Sequence, residues 1–224
     1  MSRHPQKSDG KGSLKCIQQL INLHPKLFNK KISEELKKTL NIMWVSPLST
    51  DRYSEYRDKD FLKRIEIDPS VLKLKLNVFW PLRGPQWDAL GVENEKKFIV
   101  EAKANLPEMF TPPTRAGIKS LKLIKKSLSE TKNYLSSNST SDWRSDFYQY
   151  TNRLAHLYYL NVRNKINTFL VFVYFTGDET VNGPKTKDEW IGAITLMKQY
   201  LGINKKHKLS KNIVEIFVDK SEIF

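Results

Sequence analysis

The 224-residue chain has a single cysteine, Cys16, which excludes an internal disulfide and fits a reducing compartment. No apolar run approaches the ~20 residues that a membrane-spanning helix needs, and the run Phe169 to Phe175 has only the length of a strand. The N-terminal residues are polar and basic without an apolar stretch, so no signal peptide is expected and a cytoplasmic location is. The four histidines, His4, His24, His156 and His207, are scattered without zinc-ligand spacing. The nine glycines are dispersed, and no Gly-x-x-x-x-Gly-Lys phosphate loop occurs. Acidic residues are also scarce: 24 against 38 Lys and Arg leave a formal net charge of +14. Such an excess favours a polyanionic partner, nucleic acid before a membrane surface. A lysine-rich proteome would explain the same excess, so charge alone does not decide.

What the chain does have is centred on Gln86 to Ala104. Two apolar-rich runs, Gln86–Gly91 and Phe98–Ala104, flank a polar connection with Glu93, Asn94 and Glu95, which predicts a β-hairpin. A turn centred between Asn94 and Glu95 sets Asp88 opposite Glu101, and facing side chains on paired strands lie about 4.5–5.5 Å apart at Cβ. Two like charges that close repel unless something lies between them. A divalent cation such as Mg²⁺, held by one or two carboxylates, is the simplest such group. Lys103, two residues past Glu101, shares its face of the strand.

An Asp on one strand, twelve intervening residues, then Glu101-Ala102-Lys103 on the next resembles the core motif of the PD-(D/E)XK nuclease superfamily. Trp87 stands where that motif commonly has Pro. Phe79-Trp80-Pro81, Arg83 to Asp88 and Tyr148-Gln149-Tyr150 extend the resemblance to a branch of that superfamily. It implies a restriction-endonuclease-like fold: a mixed α/β domain whose β-sheet is flanked by helices. It also implies a Mg²⁺ or Mn²⁺ cofactor held by Asp88, Glu101 and the main-chain carbonyl of Ala102, with Lys103 as a catalytic cation.

Taken in order, residues 1–13 read as a disordered basic leader and 14–50 as a helical extension, with helices over Leu14–Leu23 and Ile32–Leu40. Residues 51–224 read as the single core domain. Within the extension, Met43 to Leu48 is an apolar connector. A helix is expected from Asp51 to Ile65, and its Glu55 resembles the extra metal-binding acid of the superfamily; a solvated helix face is the alternative. Leu72–Trp80 reads as the first strand. After a Pro-punctuated loop, Arg115–Tyr134 is a helix with apolar residues at helical spacing. Residues 115–132 carry six basic side chains against one acid, so Lys119 and Lys122 either flank a phosphate backbone or form a solvated face. A polar loop over 136–142, a helix over Trp143–Asn164, a strand over Thr168–Phe175 and a helix opened by Thr186 and Glu189 follow. Ile213–Val218 is the last strand.

On the Trp143–Asn164 helix, Gln149, Asn152, Arg153 and His156 share one face. Amide, guanidinium and imidazole groups among aromatics need partners when buried. The superfamily often carries a Gln on this helix, and Gln149 resembles it; a polar seam between packed layers is the alternative. The sequence thus leads to a metal-dependent phosphodiesterase acting on nucleic acid, DNA before RNA. Asp88, Glu101, Lys103 and Gln149 would do the chemistry, while Arg153, Gln86 and Arg83 approach the substrate backbone. The rival is a nuclease-like module that binds nucleic acid or a protein and does not cut.

Overall fold

The computed structural model describes residues 2–135 and 140–224. Of the polar loop expected over 136–142, residues 136–139 lie outside the described residues. The chain is a mixed α/β protein built on a five-stranded sheet. In sheet order its strands are β2 (Met43–Ser46), β4 (Ala89–Glu93), β5 (Lys96–Lys103), β6 (Thr168–Thr176) and β7 (Ile213–Asp219). The β2–β4–β5 half is antiparallel and the β5–β6–β7 half parallel. The remaining strands, β1 (Arg3–His4) and β3 (Glu55–Tyr56), form a separate two-stranded ribbon.

Strand β6, Thr-Phe-Leu-Val-Phe-Val-Tyr-Phe-Thr, is buried along its whole length. It is composed of the β-branched and aromatic residues suited to a strand covered on both faces. On one face, Phe98, Val100, Phe169, Val171 and Val173 pack with Cys16, Ile17, Leu20, Phe28 and Ile32. Those five come from α1 (Ser13–Asn22) and α2 (Pro25–Leu36). On the other face, Ile99, Leu170, Phe172 and Tyr174 pack beneath α5 (Ile118–Tyr134), α6 (Tyr148–Tyr158) and α7 (Lys187–Tyr200). A π-helical turn, Tyr159–Arg163, prolongs α6. The period-two alternation of strands puts Glu101 and Lys103 on the same face as Ile99, under α6.

Four expectations are corrected. The first strand of the five-stranded sheet is Met43–Ser46, not Leu72–Trp80. Trp44 stacks on Phe28 with ring centroids 4.3 Å apart and pairs with Gly91, and so takes the edge position. The Leu72–Trp80 stretch instead holds a short helix, α4 (Leu76–Phe79). Its Leu74 backbone is satisfied by side chains, Asn164 Oδ1 at 3.0 Å and the Tyr159 hydroxyl at 2.9 Å, rather than by a ladder. The helix expected over Asp51–Ile65 is broken by left-handed backbone at Arg52 and Tyr53. Only α3 (Asp58–Arg64) is α-helical there, and Glu55 lies on β3. The expected leader joins the fold, because Arg3 and His4 pair with Tyr56 and Glu55. Last, α6 starts at Tyr148 rather than Trp143, after left-handed Phe147.

Gly91 is required by close approach. A Cβ there would sit 2.7 Å from Ile42 Cγ2 and 2.9 Å from Trp44 Cε3. Gly91→Ala is expected to overpack this contact and lower stability by about 1–3 kcal/mol, measured as a fall in the urea midpoint at unchanged slope.

Candidate active site

The β4–β5 hairpin forms with the expected register. Glu93 pairs with Lys96, Ala89 pairs with Val100, and Asn94 takes a left-handed φ of 50° in the turn. Asp88 falls one step beyond the last pair, which places it across from Glu101. Its N–H donates to Val100 O at 3.2 Å, and its Oδ2 accepts from Ala102 N at 2.7 Å. The carboxyl is thereby tied across the strand and partly buried.

Glu101 is 1% exposed and doubly compensated. Lys103 Nζ donates to its Oε1, and Arg153 Nε donates to its Oε2 at 2.5 Å. Lys103 also donates to Gln149 Oε1 at 2.9 Å. Arg153, itself 3% exposed, spends its other donors on Gln86 O at 2.7 Å and Asn152 Oδ1 at 3.0 Å. Its guanidinium lies over the Trp87 ring at 4.7 Å. Arg153 therefore binds the carboxylate and the hairpin entry rather than facing solvent.

Glu55 joins the group from β3. Though 5% exposed, its Oε2 accepts from Gln86 Nε2 at 2.5 Å and Gln6 Nε2 at 3.0 Å. Burial and the neighbouring Glu101 charge push its carboxyl up to about 7, against the pull of the Gln86 hydrogen bond. Burial, with the charges of Glu101 and Glu55, holds the Asp88 carboxyl well above the usual carboxylate range. Burial works in the same direction on Glu101, but Arg153 and Lys103 outweigh it and bring that carboxyl below its ordinary value. Three acids within electrostatic reach of one another are thus accommodated by one firm carboxylate and two groups that hold protons readily.

A cleft of 380 Å³ opens on this centre, lined by Asp88, Glu101, Lys103, Gln149, Glu108 and Thr111. It is not the largest hollow; one of 640 Å³ follows α7 and β7. The smaller cleft is singled out because it holds the clustered ionisable groups. Ala102 lines it as well, although its N–H is taken by Asp88. Glu108 went unnoticed in the sequence. It sits on a 3₁₀ turn, Leu106–Met109, where Asn105 Nδ2 donates to it at 2.8 Å.

The other candidates are dispersed. Arg83 is exposed on a left-handed turn whose N–H donates to Asp58, and it lines a different hollow of 600 Å³. Lys119 and Lys122 lie on the exposed face of α5 and do not line the cleft. His156 is buried among Phe61, Phe79, Trp80 and Trp87, with Nδ1 on Asn152 O at 2.9 Å. Burial pulls it down to about 3, so it is a neutral packing residue.

Among the described residues, no group of three or more His, Cys, Asp and Glu side chains is gathered to hold a metal ion. The donors that do face the cleft, the carboxyl oxygens of Asp88 and Glu101, are hard ligands of the kind Mg²⁺ and Mn²⁺ take. Each Glu101 oxygen keeps a second lone pair beside the one that Lys103 or Arg153 occupies. On that donor chemistry the residues fit the cofactor implied by the resemblance.

Two outcomes are expected from this network. Arg153→Leu leaves a buried carboxylate without its main partner and should cost about 3–5 kcal/mol in urea unfolding. The raised Glu55 carboxyl contributes stability that is full below its ordinary value of 4.5 and is lost as pH rises through about 7. The neutral isostere Glu55→Gln should therefore gain on wild type between those pH values and keep a constant lead above them, as read from urea midpoints. No family model, curated protein or solved structure matches the chain.

Proposed function

We propose that the chain is a metal-dependent nuclease of the PD-(D/E)XK type, with a restriction-endonuclease-like fold, hydrolysing phosphodiester bonds of nucleic acid, DNA before RNA. The observation that carries this reading is the convergence of Asp88, Glu101, Lys103 and Gln149 on one cleft. The mixed sheet with helices on both faces supports it, and so does the net charge of +14, which suits a phosphate backbone.

In this reading Asp88, Glu101 and the Ala102 carbonyl would hold a Mg²⁺ or Mn²⁺ ion, with Glu55 as a further carboxylate ligand. When bound, such an ion polarises the scissile phosphate and lowers the pKa of a coordinated water. Lys103 aims its ammonium into the cleft and stabilises negative charge as it develops on the phosphoryl oxygens. Gln149 fixes the Lys103 ammonium through its side-chain oxygen. Arg153 acts one step back, holding Glu101 and Gln86 in place.

One observation favours the second reading, a binding module that does not cut: both oxygens of Glu101 are already paired within the protein. The deciding experiment is cleavage of single- and double-stranded DNA and RNA with Mg²⁺, Mn²⁺ or EDTA. Wild type should cut only with a divalent metal, and Asp88→Ala should abolish cutting. Lys103→Ala should lower kcat by about 10²–10³-fold. Salt-sensitive nucleic-acid binding without cleavage in any metal would establish the module instead.

A further inference from the structure

The centre is completed from a segment far away in sequence. Residues 2–7 run past β3 toward α1 and are tied down at positions 2, 3, 4, 6 and 7. Arg57 N donates to Ser2 O at 2.9 Å, Arg3 and His4 pair with Tyr56 and Glu55, and Arg3 bonds Asp51 at 2.6 Å. Beyond the ribbon, Gln6 N donates to Arg52 O at 3.1 Å, and Gln18 Nε2, on α1, donates to Lys7 O at 3.0 Å. This strap carries Gln6 to the Glu55 carboxyl, where its Nε2 donates to the same oxygen, Oε2, that Gln86 Nε2 reaches.

Two amide donors on one carboxyl oxygen do more than satisfy a buried acid. They come from opposite sides in the chain, one from the strap and one from the hairpin approach to Asp88. Each is anchored through its own backbone: Gln6 through its N–H to Arg52 O, and Gln86 through its carbonyl, which accepts from Arg153 Nη2 at 2.7 Å. The Oε2 end of the Glu55 carboxyl is thereby held from two sides by groups that do not themselves line the cleft. Residues that hold a metal-ligating carboxylate in this way typically alter metal affinity 10–100-fold when changed.

We infer that Gln6 is a positioning residue for the candidate centre, acting through Glu55, and that the strap of residues 2–7 is part of the functional apparatus. The inference rests on the metal-binding reading of that centre. Gln6 is half-buried on the strap, so its substitution leaves both cores untouched.

The test is a double-mutant cycle of Gln6→Ala and Glu55→Ala, with Gln6→Glu as an isostere that lacks the amide donor. Mn²⁺ affinity is measured by calorimetry, and urea midpoints are taken on the metal-free proteins. Gln6→Ala should weaken Mn²⁺ binding about tenfold or more, Gln6→Glu should weaken it at least as much, and Gln6→Ala should add nothing in the Glu55→Ala background. Wild-type affinity in Gln6→Glu, or an equal loss in both backgrounds, overturns the inference by reducing Gln6 to a packing residue. A wild type that binds no Mn²⁺ overturns the metal reading itself. The urea cycle then decides whether Gln6 holds Glu55: additive midpoint shifts overturn the inference and coupled shifts sustain it.

Discussion

Everything around the hairpin depends on keeping an ionised Glu101 in the interior. A carboxylate that is 1% exposed is tolerable only with opposite charge and hydrogen bonds close by, and Arg153 and Lys103 supply both. Their own placement follows from that need. Arg153 is drawn into the layer between β5 and α6, where Trp87 covers one face of its guanidinium. Lys103 is drawn back along its own strand and held by Gln149. Helix α6 is therefore docked on the sheet by polar contacts as well as by Leu154 and Leu157.

The same compensation explains why the neighbouring acids behave differently. Arg153 and Lys103 lower Glu101, whereas Asp88 and Glu55 are left with desolvation and mutual repulsion as the leading influences. A cation entering the cleft would substitute for protons on these groups, so its binding is linked to proton release. The ionisation of the cleft and the stability of the fold thus draw on one set of interactions.

The hairpin was legible because its register follows from a local turn and a period-two pattern, both short-range properties. Strand β6 was legible for the same reason, its composition being unambiguous. Glu55 was read on the wrong element, since the left-handed residues Arg52 and Tyr53 have no sequence signature when they are not Gly or Asn. The edge strand was misassigned because Met43–Ser46 and Leu72–Trp80 are equally apolar. What separates them is tertiary: Phe28 receives Trp44, while Asn164 and Tyr159 occupy the backbone of Leu74. Gln6 and Glu108 were invisible for a simpler reason. Isolated polar residues in loops acquire meaning only from what the fold brings to them.

The bond from Ala102 N–H to Asp88 Oδ2 extends the logic of the sheet by one rung, with a side chain standing in for a backbone carbonyl. That bond takes up one lone pair of Oδ2 and leaves the other, with both of Oδ1, to the cleft. Strand pairing thus orients the carboxyl and sets the direction from which a proton or ion meets Asp88. Glu101, at the facing position, is held as firmly by Lys103 and Arg153.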